Sequence, residues 1–187
     1  MTDETLSFLS PFAGGTSVGV AIEVPAPWST ALRGLRERVE GHAGQEIIPP
    51  HITLVPPTTL PTYDLTDVER HLERAARTVA PFRVELAGPG TFRPTTQVVY
   101  AALAQGAQEC DALQRAARRG PLAQDLRFDY HPHVTVAQDA APDLLDSAEA
   151  ALEAFHAVFA VTGFQLYELG PDDVWHTMRT FPLTGRA

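Results

Sequence analysis

The sequence predicts an α+β fold of two pseudo-symmetric lobes, each a small antiparallel sheet with helices on its outer face, enclosing a central cleft. Three observations point there. Short β-branched runs alternate with amphipathic helical stretches along the 187 residues. The order strand, helix, strand, helix, strand occurs twice, its first strands 80 positions apart, its second 82 and its third 77. Both second strands open with the same pattern, His-x-Thr followed by an aliphatic residue. A period this long is not that of a solenoid. It reads as one domain over 1–187, with approximate repeat units at 16–95 and 96–183 and an N-terminal extension at 1–15.

Taking the elements in order, TSVGVAIEV (16–24) is apolar and β-branched, as a buried strand requires. The following segment places Trp28, Leu32, Leu35 and Val39 at helical spacing. A Gly-containing loop around 40–50, read as a flexible stretch able to gate the cleft, leads through Pro49-Pro50 into the strand HITLV (51–55). Thr66-Asp67-Val68-Glu69 reads as a capping box opening a second helix, with Leu65, Val68, Leu72, Ala75 and Val79 facing inward. FRVELAG (82–88) reads as a strand and GPGTF (88–92) as a turn.

The second unit repeats the scheme. TQVVYAALA (96–104) is a strand, and the helix after it carries Cys110, Leu113 and Ala117 on one face. HVTV (133–136) is the next strand. Asp139 and Pro142 stand at the start of a fourth helix, with Leu145, Ala148, Leu152 and Phe155 inward. FAVTGFQLYEL (159–169) and VWHTMRTFPL (174–183) read as the strands that close the sheet.

Composition bounds the chemistry. All fourteen basic residues are arginine, so lysine Schiff-base chemistry and a Walker-type phosphate loop are excluded. A formal net charge of −9 argues against gripping extended nucleic acid by neutralising many phosphates. It leaves room for a pocket taking one phosphate or one chain end. A single cysteine, Cys110, excludes an internal disulfide and a Cys-based zinc site. No apolar run is long enough to span a bilayer, and the first residues lack the pattern of a secretion signal, so a cytoplasmic protein without membrane partners is expected.

The two His-x-Thr motifs carry the chemistry. Residues i and i+2 of a strand point to one face, so His51 with Thr53, and His133 with Thr135, each present an imidazole beside a hydroxyl. If the lobes face each other, one cleft receives both pairs. Two opposed imidazoles suit phosphodiester cleavage: one neutral ring takes a proton from water while the other, protonated, gives one to the leaving oxygen. The threonine hydroxyls stabilise the charge growing on the phosphoryl oxygens. No metal or other cofactor is required. The alternative use of these residues is a metal pair formed by His131 and His133, which lacks an evident third ligand within the motif.

HITLVPP and YHPHVTV resemble the paired signatures of the 2H phosphoesterases, in their 2′-5′ RNA ligase-like, cyclic-phosphodiesterase branch. GPGTF resembles that family's Gly-x-Gly-x-Phe turn, and LYEL with VWHTMRTFPL its closing strands, so the resemblance covers most of 16–183. It implies a bilobal fold with a central cleft, no cofactor, and 2′,3′-cyclic phosphate or 2′-5′ phosphodiester substrates. By the motif match it assigns His51 and His133 as acid and base in unspecified order, and Thr53 and Thr135 as phosphate ligands. Some RNA-processing members carry an arginine just after the second motif, where this chain has Ala137-Gln138. A small nucleotide or a short RNA end is therefore the expected substrate, rather than ligation or a folded RNA, and the chain is expected to act as a monomer. Rival readings are a nucleotide- or phosphoester-binding module without turnover, and the same chemistry on a non-RNA cyclic phosphate such as an ADP-ribose derivative.

Tyr130, Phe92 and Trp175 could stack on a base, and Tyr130 is favoured because it lies three residues before His133. Arg127 and Arg179 could reach a second phosphate. Tyr130, Phe92 and Arg127 are the substrate-binding candidates. His42, His71, His156 and His176 lack matching partners and read as structural or exposed.

Overall fold

The computed structural model describes residues 15–40, 48–61 and 65–186. The chain runs β1 (Gly15–Glu23), α1 (Trp28–Glu40), β2 (His51–Pro61), α2 (Leu65–Ala76), β3 (Phe82–Thr91), β4 (Val98–Gln105), α3 (Ala107–Ala117), β5 (His133–Gln138), α4 (Pro142–Leu152), β6 (His156–Val161), β7 (Gly163–Leu169) and β8 (Trp175–Pro182). Two antiparallel four-stranded sheets result, one in the order β2-β1-β7-β8 and the other β5-β4-β3-β6. The fold is α+β with two lobes, and in each sheet the His-x-Thr strand is an edge strand. The two edge strands, β2 and β5, meet across the lobes.

The sheets do not divide at the repeat boundary. β3, from 16–95, pairs with β4 and β6, while β7 and β8, from 96–183, extend the sheet begun by β1 and β2. The helices are exchanged too. α1 packs on α4 and β5, whereas α3 packs on α2 and β2. Each lobe is therefore held by segments of both halves.

Amphipathic periodicity explains which side of each helix is buried. Val68 and Leu72 of α2, Cys110, Leu113 and Ala117 of α3, and Leu145, Ala148 and Leu152 of α4 all lie in one core with Val84, Leu86, Phe164 and Leu166 from the strands. Truncating one of these fully enclosed leucines to alanine is a change worth about 2–5 kcal/mol. Among the described residues, no helix is long and apolar enough to cross a membrane.

Four sequence expectations need correction. The run 159–169 is two strands in different sheets, not one closing strand. Phe159 and Val161 are buried in β6, and Phe164, Leu166 and Tyr167 in β7, so the strict alternation breaks at Thr162, where the chain passes between lobes. GPGTF is not a separate turn, because β3 runs through it with a register shift between Leu86 and Pro89, and Gly88 adopts φ +70° there. α2 starts at Leu65, so Thr66 lies inside the first turn and does not cap it. β2 continues past Val55 through Pro56 and Pro57 to Pro61, as an edge strand allows. Most of the proposed gating stretch (41–47, with His42) and the N-terminal extension (1–14) lie outside the described residues.

Candidate active site

Each catalytic candidate occupies the first position of its edge strand, His51 in β2 and His133 in β5. Proline precedes both. The ring of His51 donates from Nδ1 to the Pro49 carbonyl at 2.8 Å, and that of His133 from Nδ1 to the His131 carbonyl at 2.7 Å. The same i−2 contact in both lobes fixes the tautomer and leaves Nε2 as the nitrogen for proton exchange. Each motif thus carries one imidazole nitrogen on the main chain and one available to a ligand.

The two rings line adjoining cavities that share Thr53. His133, Phe92, Tyr130, His131, Arg127 and Phe128 are among the residues around a cavity of about 640 Å³. His51 lines a smaller one of about 150 Å³ on the sheet of β1, β2, β7 and β8, with Gly19, Ala21, Tyr167 and Trp175. Burial is the main cause of a lowered pKa for both imidazoles. That of His51 is pushed from 6.5 down to about 4, the Pro49 contact opposing, with Arg36 and His133 lowering it further. That of His133 is also lowered, chiefly by burial, against the raising effect of its His131 contact. The strands that carry the two rings, β2 and β5, meet across the lobe interface.

The other sequence candidates divide. Thr53 lines both cavities, and its carbonyl accepts a 3.0 Å hydrogen bond from the Tyr130 hydroxyl, a direct tie between the lobes. Thr135 shares the strand face of His133 but lines neither cavity, and its carbonyl is held by Arg36. Phe92 packs edge-on against His133 at 4.9 Å between centroids. Arg127 stands in the cavity wall with its guanidinium 5.1 Å over the exposed ring of Phe128. Trp175 lies by the His51 cavity. Arg179 is drawn away to α2, where it pairs with Glu69 at 2.7 Å and with Glu73, so it serves the lobe and not a phosphate. His131 bonds Tyr100 through Nε2 at 3.2 Å, and no group of three metal-ligating residues occurs among the described residues.

Sequence reading missed three residues. Arg36 of α1 reaches across the lobes, donating from Nε and Nη2 to the Thr135 carbonyl at 3.2 and 2.8 Å, and from Nη1 to the Ile48 carbonyl at 3.1 Å. It therefore ties the backbone of β5 to the segment leading into β2. Tyr100 packs beside His133, its ring lying where a Cβ on Gly90 would have to be, which is why GPGTF needs its second glycine. Tyr167 lines the small cavity together with His51 and Trp175. Its only sequence signal was its place on the opposite strand face from Leu166.

Comparison with known proteins agrees with this fold. The profile of the 2′-5′ RNA ligase superfamily matches residues 24–173. A Bacillus cytotoxicus protein named "Putative phosphoesterase" is 28% identical over 157 residues, covering 80% of this chain and 87% of its own. The crystal structure of TT0787 from Thermus thermophilus superposes with a TM-score of 0.60 at 25% identity, over 91% of this chain and all of that one. E. coli LigT, in its complex with NADP+, gives 0.64 at 20% identity over 91% and 99%, a likeness of fold. With two paired His-x-Thr edge strands in a bilobal frame and a profile match across most of its length, this chain belongs to the 2′-5′ RNA ligase superfamily of 2H phosphoesterases.

Proposed function

We propose that the protein is a metal-independent phosphodiesterase that opens 2′,3′-cyclic phosphates, or hydrolyses 2′-5′ phosphodiesters, of nucleotides or short RNA ends by His–His acid–base catalysis. One observation carries the reading: two imidazoles, each held by Nδ1 on the carbonyl two residues back, stand on facing edge strands with Nε2 left for a ligand. The cavity beside His133, about 640 Å³, is of the size that takes a nucleotide-sized molecule. Phe92, Tyr130 and Arg127 supply rings and a cation in its wall. Thr53, common to both cavities, is assigned as a phosphate ligand; Thr135, which lines neither, takes the equivalent role only by its place in the second motif.

The test is turnover of a panel of nucleoside 2′,3′-cyclic phosphates and 2′-5′ dinucleotides in the presence of EDTA. Sustained turnover is expected, with a bell-shaped dependence on pH. Activity abolished by chelation would replace this reading with a metal-dependent one. Tight nucleotide binding without product would make the protein a binding module, and exclusive turnover of an ADP-ribose-type cyclic phosphate would move the substrate outside RNA.

A further inference from the structure

The large cavity has a neighbour behind its wall. A second cavity, of about 760 Å³, lies between α3 and the segment that leads into β5, with Asp111, Gln114, Arg115 and Arg118 on its α3 side. Leu126, Arg127, Phe128, Asp129 and Tyr130 line this outer cavity and the large one alike, so a strap of five consecutive residues parts them. The strap is pinned on both sides to β2, the strand of His51. Gln124, just before it, donates from Nε2 to the Thr58 hydroxyl at 2.6 Å, and the Tyr130 hydroxyl at its end donates to the Thr53 carbonyl at 3.0 Å. The partition therefore stands at a fixed place relative to the first motif.

The outer cavity is basic in an acidic chain. Its guanidiniums come from Arg115, Arg118 and Arg127, and its carboxylates from Asp111 and Asp129. Arg115 and Asp111 neutralise each other at 2.7 Å, one turn apart on α3. Among the described residues Arg118 is held by neutral oxygens, donating from Nε to Gln114 Oε1 at 3.2 Å and from Nη1 to the Gln124 carbonyl at 2.6 Å. Arg127 makes no ion pair among them and lies 5.1 Å over the ring of Phe128. Two guanidiniums thus stand against the single carboxylate of Asp129, while the whole chain carries −9. Phe128 is 52% exposed, and its ring holds Arg127 at the partition by cation–π attraction.

Resting on the proposed cyclic-phosphate activity, we infer that the outer cavity is a second phosphate subsite, which takes the 5′-phosphoryl group of a nucleoside 2′,3′-cyclic phosphate on Arg127 and Arg118. The 5′ carbon and the cyclic phosphate project from opposite sides of a ribose, so a 5′-phosphate lies away from the reacting phosphorus. Arg127 is the one arginine in the wall of the large cavity and also lines the outer one. A nucleoside in the large cavity therefore has this guanidinium as its route to the outer one. The planar fork of a guanidinium meets two phosphoryl oxygens at once. Such a phosphate has three chemical sources: a terminal 5′-monophosphate, the 3′-5′ diester to a preceding nucleotide, or the first phosphate of a diphosphate. All present the same anionic oxygens to the strap. The preferred substrate is then a 5′-phosphorylated or 5′-extended nucleotide, and not a bare nucleoside cyclic phosphate.

The test, on the full chain, compares adenosine 2′,3′-cyclic phosphate with its 5′-monophosphate, its 5′-diphosphate and the dinucleotide that ends in the same cyclic phosphate. At least one phosphorylated form should exceed the bare one in kcat/KM by roughly 10-fold, the size of a charge-assisted hydrogen bond at a partly exposed site. The form that gains most names the source of the phosphate. Arg127→Met should bring that ratio close to unity, and Arg118→Met should lower it. Asp129→Asn, which removes the opposing charge, should raise it. Because Arg127 makes no hydrogen bond or ion pair among the described residues, its replacement tests the subsite without loss of the fold. Equal kcat/KM for all four substrates, a ratio untouched in both arginine variants, or one lowered by Asp129→Asn would overturn the subsite.

Calorimetry reads the same subsite without turnover. Adenosine 3′,5′-bisphosphate should bind about 10-fold more tightly than adenosine 3′-phosphate, and Arg127→Met should erase the difference. Equal Kd values in the wild type would overturn the subsite. An intact difference in affinity, with no turnover of any cyclic phosphate, would uphold the subsite and overturn the activity alone.

Discussion

Arg36→Met is the perturbation that most directly probes how the two motifs are held together. The side chain keeps its length and loses every donor. Two carbonyls, Thr135 O on β5 and Ile48 O ahead of β2, lose the three hydrogen bonds that the guanidinium provides. An unsatisfied buried acceptor costs about 1–3 kcal/mol, and this region is partly buried, so the two together cost about 2–4 kcal/mol. For a domain of this size each kcal/mol moves the melting temperature by about 2–4 °C, which places the drop at roughly 4–16 °C. Removing the cation also relieves its repulsion of protonated His51, so the His51 pKa rises from its depressed value of about 4. Thermal denaturation followed by circular dichroism, with NMR titration of the imidazole C–H resonances, reads both effects. Arg36→Lys, which keeps charge but not the fork, should lose stability and leave the His51 titration closer to wild type. A variant melting within about a degree of wild type, with an unmoved His51 titration, would refute the claim that this guanidinium couples the motifs.

Replacing His51 or His133 with Ala should each lower kcat by at least ~100-fold with the fold retained, as steady-state kinetics and circular dichroism will show. Both imidazoles have native pKa values below the unfolded value, so between pH 6.5 and about 4 the unfolded chain binds more protons and stability falls on acidification. His51 accounts for about 3 kcal/mol of this. Urea titrations across that window should show a shallower pH dependence for His51→Asn, and an identical slope would contradict the depressed pKa. Gly90→Ala should displace the Tyr100 ring and with it the packing on His133, lowering stability by about 1–3 kcal/mol and reducing kcat with it. Tyr130→Phe removes the hydroxyl bonded to the Thr53 carbonyl and should cost about 1 kcal/mol in a denaturant titration.

What could be read along the chain was whatever has a local cause. The pairing of imidazole and hydroxyl in His51–Thr53 and His133–Thr135 follows from the two-residue repeat of a strand, and the inward faces of α2, α3 and α4 follow from helical periodicity. The break at Thr162 was not legible, because a continuous apolar run spans it and only the structure shows the two strands entering different sheets. Tertiary structure alone decided the exchange of helices between lobes, the reach of Arg36 from α1 to the carbonyl of Thr135, and the placement of Tyr167 beside His51. Those depend on contacts between residues some 100 positions apart, which no window of sequence contains. The motifs are nearly symmetric; the space around them is not. Side chains arriving from distant strands shape that space, so the sequence specifies a pair of histidines while packing distinguishes one from the other.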